Sequence, residues 1–203
     1  MTNPLGIYIH IPFCEKKCNY CDFYSALYNK ETLNVYLSAL KGEIKKWGGQ
    51  LHRPIDTIYI GGGTPSLLGK EIISLADCIR ESFDVLENVE FTVEANPSSC
   101  SDFLHFAKQA GANRLSIGVQ SGNDAMLKTL GRTHTSREAV NTVKNAREIG
   151  FDNISLDLMI ALPDSDINTL KQDIDFILAL KPEHISAYIL KIEQKTVFSK
   201  IQD

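Results

Sequence analysis

Short apolar runs rich in β-branched residues recur at residues 5–11, 56–60, 89–93, 113–118, 153–158 and 184–190. Runs of that length and composition predict buried strands. The stretches between them change period. Ile72, Ile73, Leu75, Ala76, Ile79 and Phe83 follow helical spacing, as do Leu170, Ile174, Ile177 and Leu178 before a stop at Lys181-Pro182, and both stretches predict amphipathic helices. Thr135 with Glu138 three residues on predicts a capping box, and Pro65 suits the first turn of a helix after Gly61-Gly62-Gly63.

Strands that alternate with helices imply a parallel sheet, open or closed into a barrel. A complete eight-unit barrel takes about 250 residues, with about 200 as a lower limit. Six strands in 203 residues therefore predict an α/β fold with a partial (βα)6 TIM-like barrel. No linker, low-complexity stretch or repeat divides the pattern, so residues 1–190 read as one domain, and residues 191–203 add no further strand and helix. Ligands of such folds bind beyond the carboxyl ends of the strands. Those ends carry the cysteine loop, residues 61–65, Glu94-Ala95-Asn96-Pro97, Gln120-Ser121 and Asp157.

With 43% hydrophobic residues the chain can bury a core, and 21 Lys plus Arg against 25 Asp plus Glu leave a net charge of -4. That balance lacks the basic field of sequence-independent phosphate binding, so no nucleic-acid partner is expected. No apolar run approaches the roughly 20 residues of a membrane span, and no Lys or Arg precedes Ile7 as a signal peptide requires. A soluble, cytoplasmic protein is expected.

Five cysteines, an odd number without an export signal, argue for reduced thiols over disulfides. Cys14-x3-Cys18-x2-Cys21 places three thiolates on one loop, which can hold three corners of a cubane cluster and leave the fourth iron open. A zinc site, with His10 as a fourth ligand, remains an alternative. Cys78 reads as a core residue and Cys100 as a loop residue. The run Gly61-Gly62-Gly63 lets a ligand approach the backbone N–H groups; a tight strand-to-helix turn is the other reading. It is not a P-loop, because Thr64 stands where that motif needs glycine.

Tyr8-Ile9-His10-Ile11-Pro12-Phe13-Cys14-x3-Cys18-x-Tyr20-Cys21-Asp22-Phe23 resembles the start of the radical S-adenosylmethionine (SAM) proteins related to oxygen-independent coproporphyrinogen III dehydrogenase. Tyr59-Ile60-Gly61-Gly62-Gly63-Thr64-Pro65-Ser66, Glu94-Ala95-Asn96-Pro97, residues 114–121, Leu130-Gly131-Arg132-x-His134 and Asp157-Leu158-Met159 resemble further motifs of that family. The start is most similar to the heme-chaperone branch, because Asp22-Phe23 follows Cys21 where the dehydrogenase adds a cysteine. Ala161-Leu162-Pro163-Asp164-Ser165-Asp166 departs from the family's Gly-Leu-Pro-x-Gln-Thr, and Glu193-Gln194-Lys195-Thr196 from its Glu-Pro-Gly-Thr. Residues 191–203 read as the start of a carboxyl-terminal region that family members carry.

The resemblance implies a radical SAM core in which Cys14, Cys18 and Cys21 ligate a 4Fe-4S cluster whose fourth iron is chelated by SAM. It implies Tyr8, Tyr20, Gly62, Gly63, Thr64, Glu94, Gln120, Arg132 and Asp157 as SAM-binding residues, with heme as cargo. The implied partners are heme or a porphyrin, and a heme-acceptor protein or an electron donor. For Glu94, Gln120, Arg132 and Asp157 the residues alone leave a helix cap or surface ion pair open. Two other functions stand beside heme transfer: radical decarboxylation of coproporphyrinogen III propionates, and a zinc-stabilised scaffold.

Overall fold

The structure, a computed structural model, describes residues 3–99 and 101–200. Strand β1 (Leu5–Ile11) leads through two short strands, β2 (Phe13–Cys14) and β3 (Ala26–Leu27), into helix α1 (Lys30–Gly48). Then come β4 (Ile55–Gly62), α2 (Glu71–Ser82), β5 (Val85–Ala95), α3 (Ser101–Gln109), β6 (Arg114–Gln120), α4 (Asp124–Thr129), α5 (Ser136–Ile149), β7 (Asn153–Ile160), α6 (Ile167–Ala179) and β8 (His184–Ile189). Six strands form one sheet in the order β1-β4-β5-β6-β7-β8, and every neighbouring pair is parallel. β1 and β8 are the two edges, so the barrel is partial and open.

Each strand divides its side chains between two faces, as a period of two requires. Ile58 and Ile60, Phe91 and Val93, Leu115 and Ile117, Ile154 and Leu156 are buried in the core. The alternate positions Tyr59, Glu94, Ser116, Gln120, Asp157 and Tyr188 line a cavity instead. The sequence predicts buried strands; the structure buries one face in the apolar core and turns the polar side chains of the other toward the cavity.

Local chemistry sets the helix ends. Asn29 caps α1 by accepting from the Thr32 N–H at 3.0 Å. Thr135 and Glu138 form the predicted reciprocal box at the start of α5, and Gly150 closes that helix in the left-handed region. Pro65 departs from expectation: it opens a separate 3-10 turn, Pro65–Leu68, ahead of α2. In α6 the buried residues are Asp173 and Ile177, whereas Ile174 and Leu178 of the predicted apolar face are largely exposed. Cys78 is buried in the core as expected; Cys100 lies outside the described residues. Among the described residues no helix is long and apolar enough to cross a membrane.

Candidate cluster and cofactor site

The cysteine loop is tied down at both ends and in the middle. Cys14 ends β2, where the Ala26 N–H donates to the Pro12 carbonyl and the Tyr28 N–H to the Cys14 carbonyl, both at 2.8 Å. Within the loop the Cys21 N–H donates to the Cys18 carbonyl at 3.2 Å. Asn19 donates its backbone N–H to the Leu130 carbonyl at 2.9 Å and its side-chain amide to the Thr129 carbonyl at 2.8 Å. Its own carbonyl accepts from the Phe198 N–H at 3.1 Å, and the Phe198 ring joins a small cluster with Leu130, Met159 and Leu162. Cys14 is buried, and Cys18 and Cys21 are half-buried. Burial pushes the Cys21 thiol up from its ordinary range, an opposition that metal binding has to overcome, since the ligand is the thiolate.

Beside this loop the end of β4 comes very close. A Cβ placed on Gly63 would stand 2.5 Å from the Phe13 carbonyl oxygen and 2.9 Å from Cys14 Sγ, so no larger residue fits. Gly62 has φ 121°, which L side chains rarely adopt. Its N–H donates to Glu94 Oε2 at 2.9 Å, and the Tyr59 hydroxyl donates to Glu94 Oε1 at 2.8 Å. Burial raises the Glu94 pKa above the ordinary carboxylate value.

The opposite wall is built from β6, β7 and β8. Gln120 has φ 71°, and the Ser121 N–H donates back to the Val119 carbonyl at 3.0 Å, closing a three-residue turn about it. Buried Asp173 of α6 holds this turn, accepting from the Ser121 hydroxyl at 2.8 Å and the Gly122 N–H at 2.7 Å. The Tyr188 hydroxyl donates to Gln120 Oε1 at 2.5 Å. Asp157 accepts from the Ser116 hydroxyl at 3.2 Å, and its pKa is raised to about 7 by burial first and by the Glu94 charge second. Arg132 donates through Nη2 to the Gly118 carbonyl at 2.7 Å and to Asn96 Oδ1 at 3.1 Å, and its Nη1 lies 3.6 Å from Cys18 Sγ. Its Nε is buried without a partner. Burial lowers the His134 pKa to about 4, so the ring is neutral, donates from Nε2 to the Val119 carbonyl and keeps an unpartnered Nδ1. It is not among the residues that line the cavity.

These walls enclose about 670 Å3, within the usual range for a small-molecule site. The cavity brings together Cys14, Cys18, Tyr20, Cys21, Gly62, Gly63, Thr64, Glu94, Gln120, Arg132 and Asp157. Tyr8 is not among its lining residues: it is 60% exposed on the edge strand, with its hydroxyl 2.9 Å from His10 Nδ1. The other His10 nitrogen meets the Tyr24 carbonyl at 2.8 Å, so both ring nitrogens are engaged away from the thiols. Sequence reasoning did not single out Tyr59, Ser116 or Tyr188, whose signal is the polar phase of strand alternation, nor Asp173. A second cavity, about 560 Å3 between α3 and α5, holds none of the predicted site residues.

The donor set fits an iron-sulfur cluster. Three thiols within eight residues face one cavity, and the glycine approach keeps the space beside Cys14 clear of side chains. Among the described residues no three of His, Cys, Asp and Glu gather closely enough for a single ion. One zinc would need its sulfurs within about 4 Å of one another, given Zn–S bonds near 2.3 Å; a cubane is wider, and its thiolates stand farther apart.

Comparison with known proteins agrees with this chemistry. The family profile described as the radical SAM superfamily matches residues 8–177. The chain is 44% identical over 195 residues to a protein of Bacillus subtilis (strain 168) named heme chaperone HemW, covering 94% of this chain and 52% of that one. The protein of that name from Escherichia coli (strain K12) is 41% identical over 199 residues, with 96% and 53% covered. The chain thus spans about half the length of the curated relatives it matches. A solved structure of E. coli coproporphyrinogen III oxidase (HemN), described as a radical SAM enzyme, superposes with a TM-score of 0.89 at 30% identity, covering 97% of this chain and 46% of that one. Methylornithine synthase (PylB), at 14% identity and a TM-score of 0.67, shares the fold.

Proposed function

The chain belongs to the radical SAM superfamily, and on that premise we propose that it acts as a heme chaperone, binding heme and a SAM-chelated 4Fe-4S cluster in the cytoplasm. The observation that carries the cluster is the convergence of Cys14, Cys18 and Cys21 on one cavity, beside a glycine that leaves no room for a side chain at Cys14. Similarity to proteins named heme chaperone HemW over nearly all of this chain supports the cargo.

In this reading residues 1–190 form the radical SAM core, and the three cysteines, as thiolates, hold the cluster. When bound, cluster and SAM together supply one-electron reductive cleavage of the sulfonium. The chain's own residues bind and orient. The Gly62 and Gly63 N–H groups are already engaged by Glu94 Oε2 and the Ile11 carbonyl, both at 2.9 Å, so these glycines serve the amino-acid end of SAM by leaving space, Thr64 offers it a hydroxyl, and the carboxylates of Glu94 and Asp157 suit its ammonium and ribose hydroxyls. Gln120 stands ready as a two-way hydrogen-bonding group, Tyr20 flanks the cysteines, and Arg132 provides a fixed positive charge. Tyr8 supports this wall through Tyr59, whose ring centroid lies 6.0 Å away. A heme-acceptor protein and an electron donor complete the function.

Anaerobic reconstitution tests the site. Cys14→Ala, Cys18→Ala and Cys21→Ala each abolish the iron-sulfur visible absorbance, and Cys78→Ala retains it. Cluster survival in any of the first three contradicts the assignment. For the function, hemin binds in an absorbance titration, and incubation with SAM, reductant and coproporphyrinogen III leaves the porphyrinogen mass unchanged. Loss of carbon dioxide would instead establish the decarboxylase reading, which the superposition on the oxidase structure favours.

A further inference from the structure

Arg132 is a half-buried cation whose Nε is shielded from solvent, without a carboxylate at its side. The ion pairs among the described residues involve Lys46, Arg80, Lys144, Arg147 and Lys191. Arg132 instead gives Nη2 to two neutral oxygens, faces the Tyr20 hydroxyl, turns Nη1 to Cys18 Sγ at 3.6 Å, and leaves its buried Nε–H unmet. Moving a guanidinium out of water is costly unless an opposite charge meets it. The nearby carboxyl group, Asp157, is beyond ion-pair distance and half-protonated near neutral pH. What Arg132 does touch is a cluster-ligand sulfur.

We propose that Arg132 is the counter-ion of the cluster held by Cys14, Cys18 and Cys21, and that through the Cys18 sulfur it raises the cluster's reduction potential. The inference rests on the cluster reading above. The couple is a one-electron step: the cluster gains one electron from an external one-electron reductant, no bond forms or breaks, and no proton moves. Reduction adds one negative charge to the cluster. A fixed cation at a ligand sulfur, in surroundings poor in water, stabilises the reduced form more than the oxidised one. Hydrogen bonds to the sulfurs act in the same direction. Arg132, assigned by resemblance to SAM, thus has a role that operates before SAM arrives.

The test is a potentiometric titration of the anaerobically reconstituted chain without SAM, using dithionite and following the reduced cluster by electron paramagnetic resonance. Arg132→Gln lowers the one-electron equilibrium constant about tenfold or more, which is about 59 mV, at unchanged iron and sulfide content. Arg132→Lys, which keeps the charge, retains most of the potential. Asn96→Asp places a carboxylate where Nη2 now meets Asn96 Oδ1 at 3.1 Å and lowers the potential with the guanidinium still present. A fully loaded Arg132→Gln protein within threefold of wild type overturns the inference. Should that variant take up no cluster, an unchanged potential in Asn96→Asp overturns it instead. Wild-type protein that takes up no iron or sulfide overturns the reading of the site itself.

Discussion

At Asp157 the sequence placed a carboxylate at the end of a strand, and the structure gives it an unusual titration. Burial, followed by the Glu94 charge, moves its pKa from 3.8 to about 7. The folded chain therefore holds this proton more tightly than the unfolded chain does. The stability associated with the group is fully present below pH 4, falls as pH rises, and is lost above about pH 7. Asp157→Asn removes that dependence. In urea titrations at pH 5 and pH 8, wild type loses more stability on going to the higher pH than the variant does; equal losses would refute the shift. The position was legible because strand ends bear ligands. The pKa was not, because the burial that raises it and the Glu94 charge that adds to it are supplied by other segments of the chain.

On the level of the single element, the loop after β6 has the same logic. The left-handed Gln120 is an uncommon conformation for a non-glycine residue, and such backbone persists where its surroundings over-determine it. Asp173 provides that constraint. Asp173→Ala leaves the Ser121 hydroxyl and the Gly122 N–H without their buried acceptor, which costs roughly 2 kcal/mol or more. In a chain of this size that corresponds to a melting temperature lower by roughly 5 °C. Because the turn aims Gln120 into the cavity, SAM affinity measured by equilibrium binding falls as well; unchanged affinity would separate the turn from the site. The amphipathic period of α6 was readable, but its buried face was not. Periodicity ranks Ile174 and Leu178 above an aspartate, whereas Asp173 is buried because two donors at the end of β6 meet it. The strands and the capping box were legible from local pattern alone. The pairing of β2 with β3, two residues each, is too short to leave any pattern.

The whole molecule is ordered by connection: each strand is followed by a helix and the next parallel strand, and the sheet order repeats the chain order once the two short strands are set aside. That much follows from alternation. The folding back of residues 193–200 does not, since they carry neither a strand nor a helical period. Phe198 is 6% exposed and packs with Leu130, Met159 and Leu162. Phe198→Ala costs about 3 to 5 kcal/mol, and hydrogen exchange in residues 15–25 accelerates while β5 and β6 keep their protection. Equal protection of the cysteine loop in variant and wild type would mean that the backbone bonds to Asn19 suffice without the ring.

The cysteine loop lies far along the chain from what holds it: Asn19 is bonded to Leu130 and to Phe198. Its last support is separated from it by roughly 180 residues, about 10 to 35 s of synthesis at 5–20 residues per second. During that interval the three thiols lack the support that Phe198 gives Asn19. Iron delivered then would meet a loop without that support, so cluster loading is expected to follow the placement of Phe198 and not the appearance of the cysteines.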